Sequence, residues 1–301
     1  MRYYNLDAAE SAFFARQLEF VYSTTYDIKY PDLMYRQFIP QSTAADPGAV
    51  TVTYEQYREV GRARVGSHHS NHAPRVDIAG EEFTRPVRPI EAAYGWTVQD
   101  VKSAQMAGKN LNQRRGAACR RAIEREMDEI AAVGAPLVGI ATGALNDANV
   151  TINASAGSWL APATAATIIG EVSTMYQDIV TDTLQIERPD TLILPVARWA
   201  YIATTPRADT ADTTILEFIK AKFPGLVNIE PWYRIDDAGA AGVTRAMMYP
   251  RRPDIMQNEV PLDFEQLPVQ ARDFQFVVNC HSRTAGVAVY YPVACRYLDG
   301  L

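Results

Sequence analysis

The stretch that most limits how this chain can fold spans residues 50–90. Val52 and Tyr54 alternate with threonines, a turn-rich stretch follows at residues 66–74, and Ile78 opens a returning series that includes Phe83. Two alternating runs joined by a turn predict a long two-stranded β-ribbon. Because two strands alone bury too little apolar surface to be stable in water, we expect the ribbon to lie on another subunit.

The charge of the ribbon favours protein contacts. Residues 50–90 hold six arginines and five acids, and the whole chain has 24 arginines but five lysines among its 29 cations. Arginine suits ion pairs at interfaces, where lysine is depleted, although the codon usage of a GC-rich genome explains the excess equally well. The predicted assembly-interface residues are Arg58, Arg62, Arg64, Arg75, Glu81, Glu82, Arg85 and Arg88, with Arg120, Arg121 and Glu124 farther along the chain.

A long helix is predicted after the ribbon. Residues 97–133 contain no proline, and apolar positions such as Ile123 and Met127 keep a helical spacing. Thr97 is suited to cap the first turn, and Gly134 follows the last one. A helix of this length would extend about 50 Å, so we expect it to form a spine for the domain that contains it.

The remainder of the chain is mixed. A Gly- and Ala-rich connection at residues 134–157 leads into alternating helices and strands, and the tail is strand-rich, with Phe276, Val278 and Cys280 on one alternating strand. This order predicts an α+β fold. Helices are expected at residues 162–181, 197–203 and 213–223, and strands at residues 191–194, 226–235 and 244–249, with further strands at residues 260–297.

Bulk properties exclude several classes of function. The net charge of -6 argues against a nucleic-acid-binding surface, so any contact with DNA should be weak. No run approaches the roughly 20 apolar residues of a membrane span, and the first residues lack a signal core, so we expect a chain kept in the cytosol with no membrane partner. The three cysteines have no C-x-x-C spacing and are interpreted as reduced thiols.

Enzyme-like signals are weak. His68, His69 and His72 form a cluster of metal-binding type, but no acidic or cysteine partner stands at ligand spacing, so a surface loop is favoured over a metal hydrolase. Cys280 and His281 are strand neighbours whose side chains point to opposite faces, which excludes a catalytic pair. No catalytic, cofactor-binding or metal-binding residue is predicted, and no cofactor is expected.

The order of elements resembles the tailed-phage major capsid family, with its Johnson or HK-ninety-seven-type fold. YGWTV at residues 94–98 leading into AACRRAIE at residues 117–124 is similar to the family's spine helix, and GIATGALN at residues 139–146 to the loop after it. DTLILP at residues 190–195 resembles the opening of the axial domain. Residues 274–280, with AVYYPVA at residues 288–294, resemble the closing strand of the peripheral domain.

The resemblance implies a phage capsid fold with four parts. These are an N-terminal arm (residues 1–45), an extended β-hairpin loop (46–92), a peripheral domain with the spine helix and β-strands (93–160 and 256–291), and an α/β axial domain (161–255 and 292–301). Hexamers and pentamers would close into an icosahedral shell around double-stranded DNA. Expected partners are a portal protein, a scaffolding protein and a cementing or decoration protein, and assembly would take place in the host cytoplasm.

Two further expectations and two alternatives accompany the resemblance. The arm begins almost at Met1, which predicts no fused scaffold, and residues 50–90 contain no lysine, which predicts a shell without covalent cross-links. An encapsulin-like nanocompartment shell that holds protein cargo is the first alternative, and the metal hydrolase is the second. Copurifying DNA, a copurifying enzyme or stoichiometric metal would distinguish the three.

Overall fold

The computed structural model describes residues 30–65, 74–107, 111–160, 163–208 and 213–301, and the elements named below lie within Leu33–Leu301. The helices are α1 (Tyr35–Phe38), α2 (Val98–Ala107), α3 (Leu111–Val133), α4 (Ala165–Asp182), α5 (Val196–Thr204) and α6 (Ile215–Lys222). The strands are β1 (Gln41–Ser42), β2 (Thr51–Val60), β3 (Asp77–Pro86), β4 (Arg88–Thr97), β5 (Thr151–Ala154), β6 (Thr191–Leu194), β7 (Asn228–Pro231), β8 (Arg245–Tyr249), β9 (Met256–Glu259), β10 (Leu262–Gln266), β11 (Gln270–Arg272), β12 (Gln275–Thr284), β13 (Gly286–Val289) and β14 (Arg296–Asp299).

The predicted ribbon is formed by β2 and β3, which pair antiparallel along their whole length. The sequence predicts strand through residue 65, but the ladder ends at the Val60–Asp77 pair. Gly61 follows with a φ of +125°, a backbone conformation that glycine adopts without a steric penalty. At the other end, residues 88–90 belong to β4 and pair with β12 instead of continuing the ribbon.

Strand β12 is the centre of the sheet that supports α3. It pairs antiparallel with β4 on one edge and with β10 and β11 on the other. Alternate residues of β12, including Val278 and Ser282, are buried. The Ser282 hydroxyl lies 3.3 Å from the sulfur of Met127 on α3, so the buried face of β12 is the one that meets the helix. The strand predicted at residues 274–280 is therefore confirmed, whereas residues 292–294, predicted as part of the closing strand, form a 3-10 turn.

The predicted start and end of the long helix are also confirmed. The Asp100 N–H donates to Thr97 Oγ1 at 3.1 Å, and the Thr97 N–H donates to Asp100 Oδ2 at 3.2 Å, which forms a reciprocal cap. Gly134 ends α3 with a φ of +77°. The sequence predicts one continuous helix, whereas the structure describes α2 and α3, and residues 108–110 lie outside the described residues.

A second sheet has the order β5-β14-β8-β6-β7 and separates two cores. Met247 on β8 and Tyr297 on β14 face the core that includes α3, whereas Met248 and Leu298, their neighbours in sequence, face the core that includes α4 and α6. Burial on both faces explains why β6 (TLIL) and the AMMY segment of β8 are almost continuously apolar. The sheet is mixed, because β14 pairs parallel with β5 and antiparallel with β8.

Residues 33–39 of the predicted arm pack on the first core. Tyr35, Phe38 and Ile39 are at most 1% exposed. The Phe38 and Trp232 ring centroids are 5.4 Å apart, and the Tyr249 hydroxyl donates to the Phe38 carbonyl at 2.7 Å. This short aromatic segment is thus covered by the rest of the chain. Residues 1–29 of the predicted arm lie outside the described residues.

Two predicted boundaries are wrong. The connection at residues 134–157 includes β5, an edge strand of four residues that is too short to show a clear alternation and depends on its pairing with β14. The strand predicted at residues 226–235 is limited to β7, and a 3-10 turn follows at Tyr233–Ile235. Pro231 ends β7, and a residue without an N–H cannot donate to the ladder.

Gly143 offers a test of how the loop after α3 is held. Leu145 N–H donates to the Ala132 carbonyl at 2.9 Å, and a Cβ on Gly143 would lie 2.5 Å from that same carbonyl oxygen. We expect Gly143→Ala to lower the free energy of unfolding by about 2–3 kcal/mol, because two backbone segments must separate. Urea denaturation of the purified subunit measures this change.

The control is Gly170→Ala on the exposed side of α4, where an added Cβ meets nothing within 4 Å. It should raise the free energy of unfolding by about 0.5–1 kcal/mol, because alanine favours the helix interior. A neutral result at position 143 would contradict the assigned packing.

Candidate assembly surfaces

The ribbon is anchored to the body of the chain at its base. The Tyr54 ring stacks on Phe83 with centroids 5.2 Å apart and meets the ring of Tyr290 edge-on at 4.8 Å. The Gln56 amide donates to the Tyr290 carbonyl at 2.6 Å, and the Tyr290 hydroxyl donates to buried Glu259 at 2.9 Å. Tyr290 therefore fixes the point at which the ribbon leaves the body.

Beyond Gln56 the ribbon exposes apolar side chains. Tyr57 is 69% exposed, Val60 46% and Ile78 66%, and Val65 after the ladder is fully exposed. Ile78 stands opposite Glu59 in the ladder and therefore shares a face with Tyr57, and exposed apolar side chains that lie together are typical of a protein–protein contact. The described ribbon thus has a surface that its own chain leaves uncovered.

The predicted charged residues beyond the base follow this surface. Arg58 lies on β2, and Arg62, Arg64 and Arg75 lie beyond the end of the ladder; all four are exposed. This part of the ribbon therefore combines apolar and guanidinium groups, which is the composition favoured at protein interfaces.

The acidic residues of the ribbon are arranged differently. Glu82 stands directly opposite Glu55 in the ladder, and Glu81 stands opposite Gln56. Like charges at opposed positions destabilise a pair of strands. The Tyr57 hydroxyl donates to Glu55, and its ring covers Gly80, where a Cβ would lie 2.9 Å from the ring. The carboxylates remain exposed, so a cationic partner would relieve their repulsion.

Two of the predicted interface arginines bind within their own chain. The Arg85 guanidinium donates to the Val287 carbonyl on β13, and Arg88 Nε donates to the Val138 carbonyl at 2.5 Å. Both residues therefore help to hold the base of the ribbon. Their participation in contacts between subunits stays a prediction.

Glu124 is likewise used within the chain. It accepts a hydrogen bond from the Tyr35 hydroxyl at 2.7 Å and one from Arg36 at 3.0 Å. Arg36 also pairs with Asp263 on β10. Burial, followed by the Glu124 carboxylate, raises the pKa of Tyr35 above its ordinary value, so this hydroxyl keeps its proton and acts as a donor. Glu124 thus fastens α1 to α3.

The two remaining predicted residues lie on the exposed side of α3. Arg120 is placed over the Phe264 ring, with 5.5 Å from the guanidinium carbon to the ring centroid, and Arg121 is exposed. The sequence did not predict a role for Arg36, which binds Glu124 and Asp263, or for Tyr290, which contacts the base of the ribbon. Neither has a local signal, since Glu124 is 88 residues from Arg36 and Gln56 is 234 residues from Tyr290 in the sequence.

A groove between the start of β4 and the second half of α3 adds a third surface. Exposed Leu137 and Val138 lie at its edge. The floor of the groove is apolar and its edge carries charges of both signs. Protein interfaces likewise have an apolar core and a polar rim. The lining includes Arg88, Glu91, Arg125, Glu126 and Glu129 together with Ile90, Ile123, Ile130 and Val133.

Within the described residues, no group of three or more His, Cys, Asp or Glu side chains is placed to hold a metal ion. His68, His69 and His72 lie outside the described residues. Cys280 is buried, whereas His281 lies on the other face with Nε2 3.5 Å from Glu265, as the strand geometry predicts. No helix in the described part of the chain is long and apolar enough to cross a membrane.

Comparison with protein families decides among these interpretations. Residues 61–301 match the family model described as "Major capsid protein". The chain belongs to the major capsid protein family. A search of curated proteins finds no match. The family match agrees with a structural rather than a catalytic role.

Solved structures with the same fold include phage capsids. The capsid protein of Myoviridae phage XM1 has a TM-score of 0.86 at 22% identity, with 97% of this chain and 100% of that chain covered. A chain from Mycobacterium phage Bobi has a TM-score of 0.66 at 13% identity, with 95% and 96% covered. This major capsid protein therefore has the α+β, HK-ninety-seven-type fold that its sequence predicted.

The encapsulin-like alternative is not favoured. The virus-like particle from Pyrococcus furiosus has a TM-score of 0.54 at 12% identity, with 87% of this chain and 91% of that chain covered. The lower score shows a shared fold with a weaker correspondence than that of the phage capsid chains.

Tyr290 provides a test of the ribbon anchor. We expect Tyr290→Ala to lower the free energy of unfolding by about 1–3 kcal/mol, because it removes the ring contact with Tyr54 and leaves buried Glu259 without this donor. Amide hydrogen exchange in β2 and β3 should accelerate at the same time. Tyr290→Phe keeps the ring and should cost only about 1 kcal/mol. Unchanged exchange in the alanine variant would show that the anchor lies elsewhere.

Proposed function

We propose that this major capsid protein forms the icosahedral head shell of a tailed bacteriophage, as hexamers and pentamers that enclose double-stranded DNA. The observation that carries the proposal is the ribbon, which is anchored at Tyr290 and exposes apolar and arginine side chains beyond Gln56. Such a surface becomes stable when a second subunit covers it. The protein acts as a building unit and catalyses no reaction.

The overall charge suits a container for DNA. With a net charge of -6, the subunit would confine a polyanion with only weak contacts. Assembly would take place in the host cytoplasm, with a portal protein, a scaffolding protein and a cementing or decoration protein as further partners. The division into arm, hairpin loop, peripheral domain and axial domain, with the boundaries given above, belongs to the same proposal.

Replacing residues 61–76 by Asn-Gly tests the role of the ribbon. Val60 and Asp77 are a pair in the ladder, so a two-residue turn can join them without a change of register. We expect the shortened subunit to unfold at the same temperature as the wild type, because the described residues that it loses, 61–65 and 74–76, are all exposed. It should fail to close into particles, as measured by electron microscopy and sedimentation velocity.

The matched control keeps the ribbon length and reverses its charge, with Arg58, Arg62, Arg64 and Arg75 each replaced by Glu. Reduced assembly of this folded variant would assign the contact to the guanidinium groups. Wild-type protein that sediments only as a monomer under all conditions, or normal particles from the shortened variant, would refute the proposal. Particles that copurify with an enzyme instead of DNA would favour the nanocompartment alternative.

A second test concerns how the shell is held together. Residues 50–90 contain no lysine, and a guanidinium group is a donor only, so the ribbon offers no neutral amine for an isopeptide bond. Mature particles boiled in denaturing detergent with reductant should release one band at the monomer mass. A ladder of pentamer- and hexamer-sized species would show that a lysine outside the ribbon performs the chemistry.

A further inference from the structure

Helix α4 ends in a turn whose backbone suits glycine better than the residues present. Leu184 and Gln185 follow the helix with φ angles of +52° and +67°. The Leu184 N–H donates to the Thr181 carbonyl at 3.0 Å, and the Gln185 N–H donates to the Val180 carbonyl at 2.7 Å. These two hydrogen bonds form a Schellman motif, whose left-handed position is usually glycine because a Cβ is disfavoured there. Leu184 occupies that position at a conformational cost.

This α4 turn (residues 183–188) is fixed at both ends. The buried hydroxyl of Thr183 donates to the Ile179 carbonyl at 2.7 Å and accepts from the Glu187 N–H at 3.2 Å. The Glu187 carboxylate pairs with Arg252 at 2.6 Å. The chain therefore sets the conformation of the turn before any partner binds.

The tip of the α4 turn exposes apolar side chains and one cation. Leu184 is 82% exposed and Ile186 is 70% exposed. Arg188 is also exposed and has no ion pair within the described residues. Leucine at position 184 is thus unfavourable twice, through its backbone conformation and through its contact with water. Residues held in such conformations cluster at functional sites.

The ribbon has a face that points away from the body of the chain. Tyr54 and Phe83 are opposed in the ladder, and their face meets Tyr290. Successive side chains of a strand alternate between the two faces, and opposed residues share one face. The other face, called the outer face here, consists of Glu55, Tyr57, Glu59, Ile78, Gly80 and Glu82.

The outer face complements the α4 turn. Its three carboxylates are exposed, and Glu55 and Glu82 stand directly opposite each other. Tyr57 and Ile78 add exposed apolar surface. A partner that suits this face must supply apolar side chains together with a cation, and the α4 turn supplies both. Because each surface is exposed within its own chain, the contact would join two copies.

We propose that the outer face of the ribbon of one subunit docks on the α4 turn of a second copy. The aliphatic side chains of the turn pack on Tyr57 and Ile78. The Arg188 guanidinium lies between Glu55 and Glu82 and relieves their repulsion. Since the turn is already fixed, little conformational freedom is lost there on binding. The inference rests on the proposed head shell, because it names one contact between the subunits of that shell.

Two glycine substitutions in the purified full-length protein separate the exposed side chain from the backbone strain. Leu184→Gly removes both, whereas the matched control Gln185→Gly relieves the strain of the next residue and keeps the leucine. Leu184→Gly should melt no lower than the wild type, because glycine favours this conformation. It should nevertheless need about tenfold more protein to assemble to the same extent in sedimentation velocity. Gln185→Gly should assemble as the wild type does.

A charge exchange identifies the face of the ribbon that makes the contact. Arg188→Glu should weaken assembly about tenfold, and the addition of Glu82→Arg should restore it. Glu81→Arg, on the opposite face of the ribbon, should not restore it. If Leu184→Gly melts lower than the wild type, the charge exchange decides alone.

The outcomes distinguish this inference from the proposed head shell. Wild-type assembly by Leu184→Gly or by Arg188→Glu, or equal rescue by Glu81→Arg and Glu82→Arg, would overturn the docking contact and leave the head shell in place. Wild-type protein that stays monomeric under all conditions would refute both.

Discussion

Burial of β8 and β14 on both faces is the constraint on which the rest of the chain depends. Alternate residues of these two strands enter two different cores, one beneath α3 and one beneath α4 and α6. Loss of either core would expose one full face of the same sheet. A buried ion pair between Arg245 and Asp299, at 2.6 Å, joins the strands, and Arg245 also donates to the Leu145 carbonyl. The loop after α3 is thereby fixed to the sheet.

The ribbon, unlike β8 and β14, is covered by its own chain only at its base. Its hydrogen-bond ladder is as regular as those of the sheets in the body. Its side chains beyond Gln56 are nevertheless mostly exposed, and it packs against the body mainly at its base, around Tyr54 and Tyr290. Elements with few buried apolar contacts have low local stability. A partner that binds only the ordered ribbon would stabilise it by mass action, so ribbon order and subunit association are thermodynamically linked.

Sequence reasoning succeeded where the signal was local. The caps at Thr97 and Gly134, the alternation of β2 with β3 and the short apolar strand β6 each follow from a few neighbouring residues. It failed where the structure depends on distant partners. Edge strand β5 exists through its pairing with β14, and the anchor at Tyr290 depends on a strand more than 200 residues away in the sequence.

Among the predicted interface residues, too, some have a placement that local sequence indicates and others depend on distant partners. Arg58, Arg62 and Arg75 are exposed, in agreement with a role on an outer surface. The sequence predicts Glu124 at an interface because it lies in a charged helical segment, and composition alone gives no sign that Tyr35 and Arg36 bind it. A charged residue on a helix face can hold its own chain together or contact another chain. Only the tertiary structure distinguishes the two uses.

The charged residues of the ribbon affect both the stability of the ribbon and its choice of partner. Glu55 and Glu82 are opposed in the ladder, so an isolated ribbon carries an electrostatic cost that a guanidinium group from another subunit would remove. Beyond the ladder, Arg62 and Arg75 would instead pair with carboxylates of the partner. Contacts of this kind penalise a partner with the wrong charge more than they strengthen the right one. The ribbon would require a partner surface that carries both guanidinium and carboxylate groups, and this chain places arginines and glutamates side by side around α3.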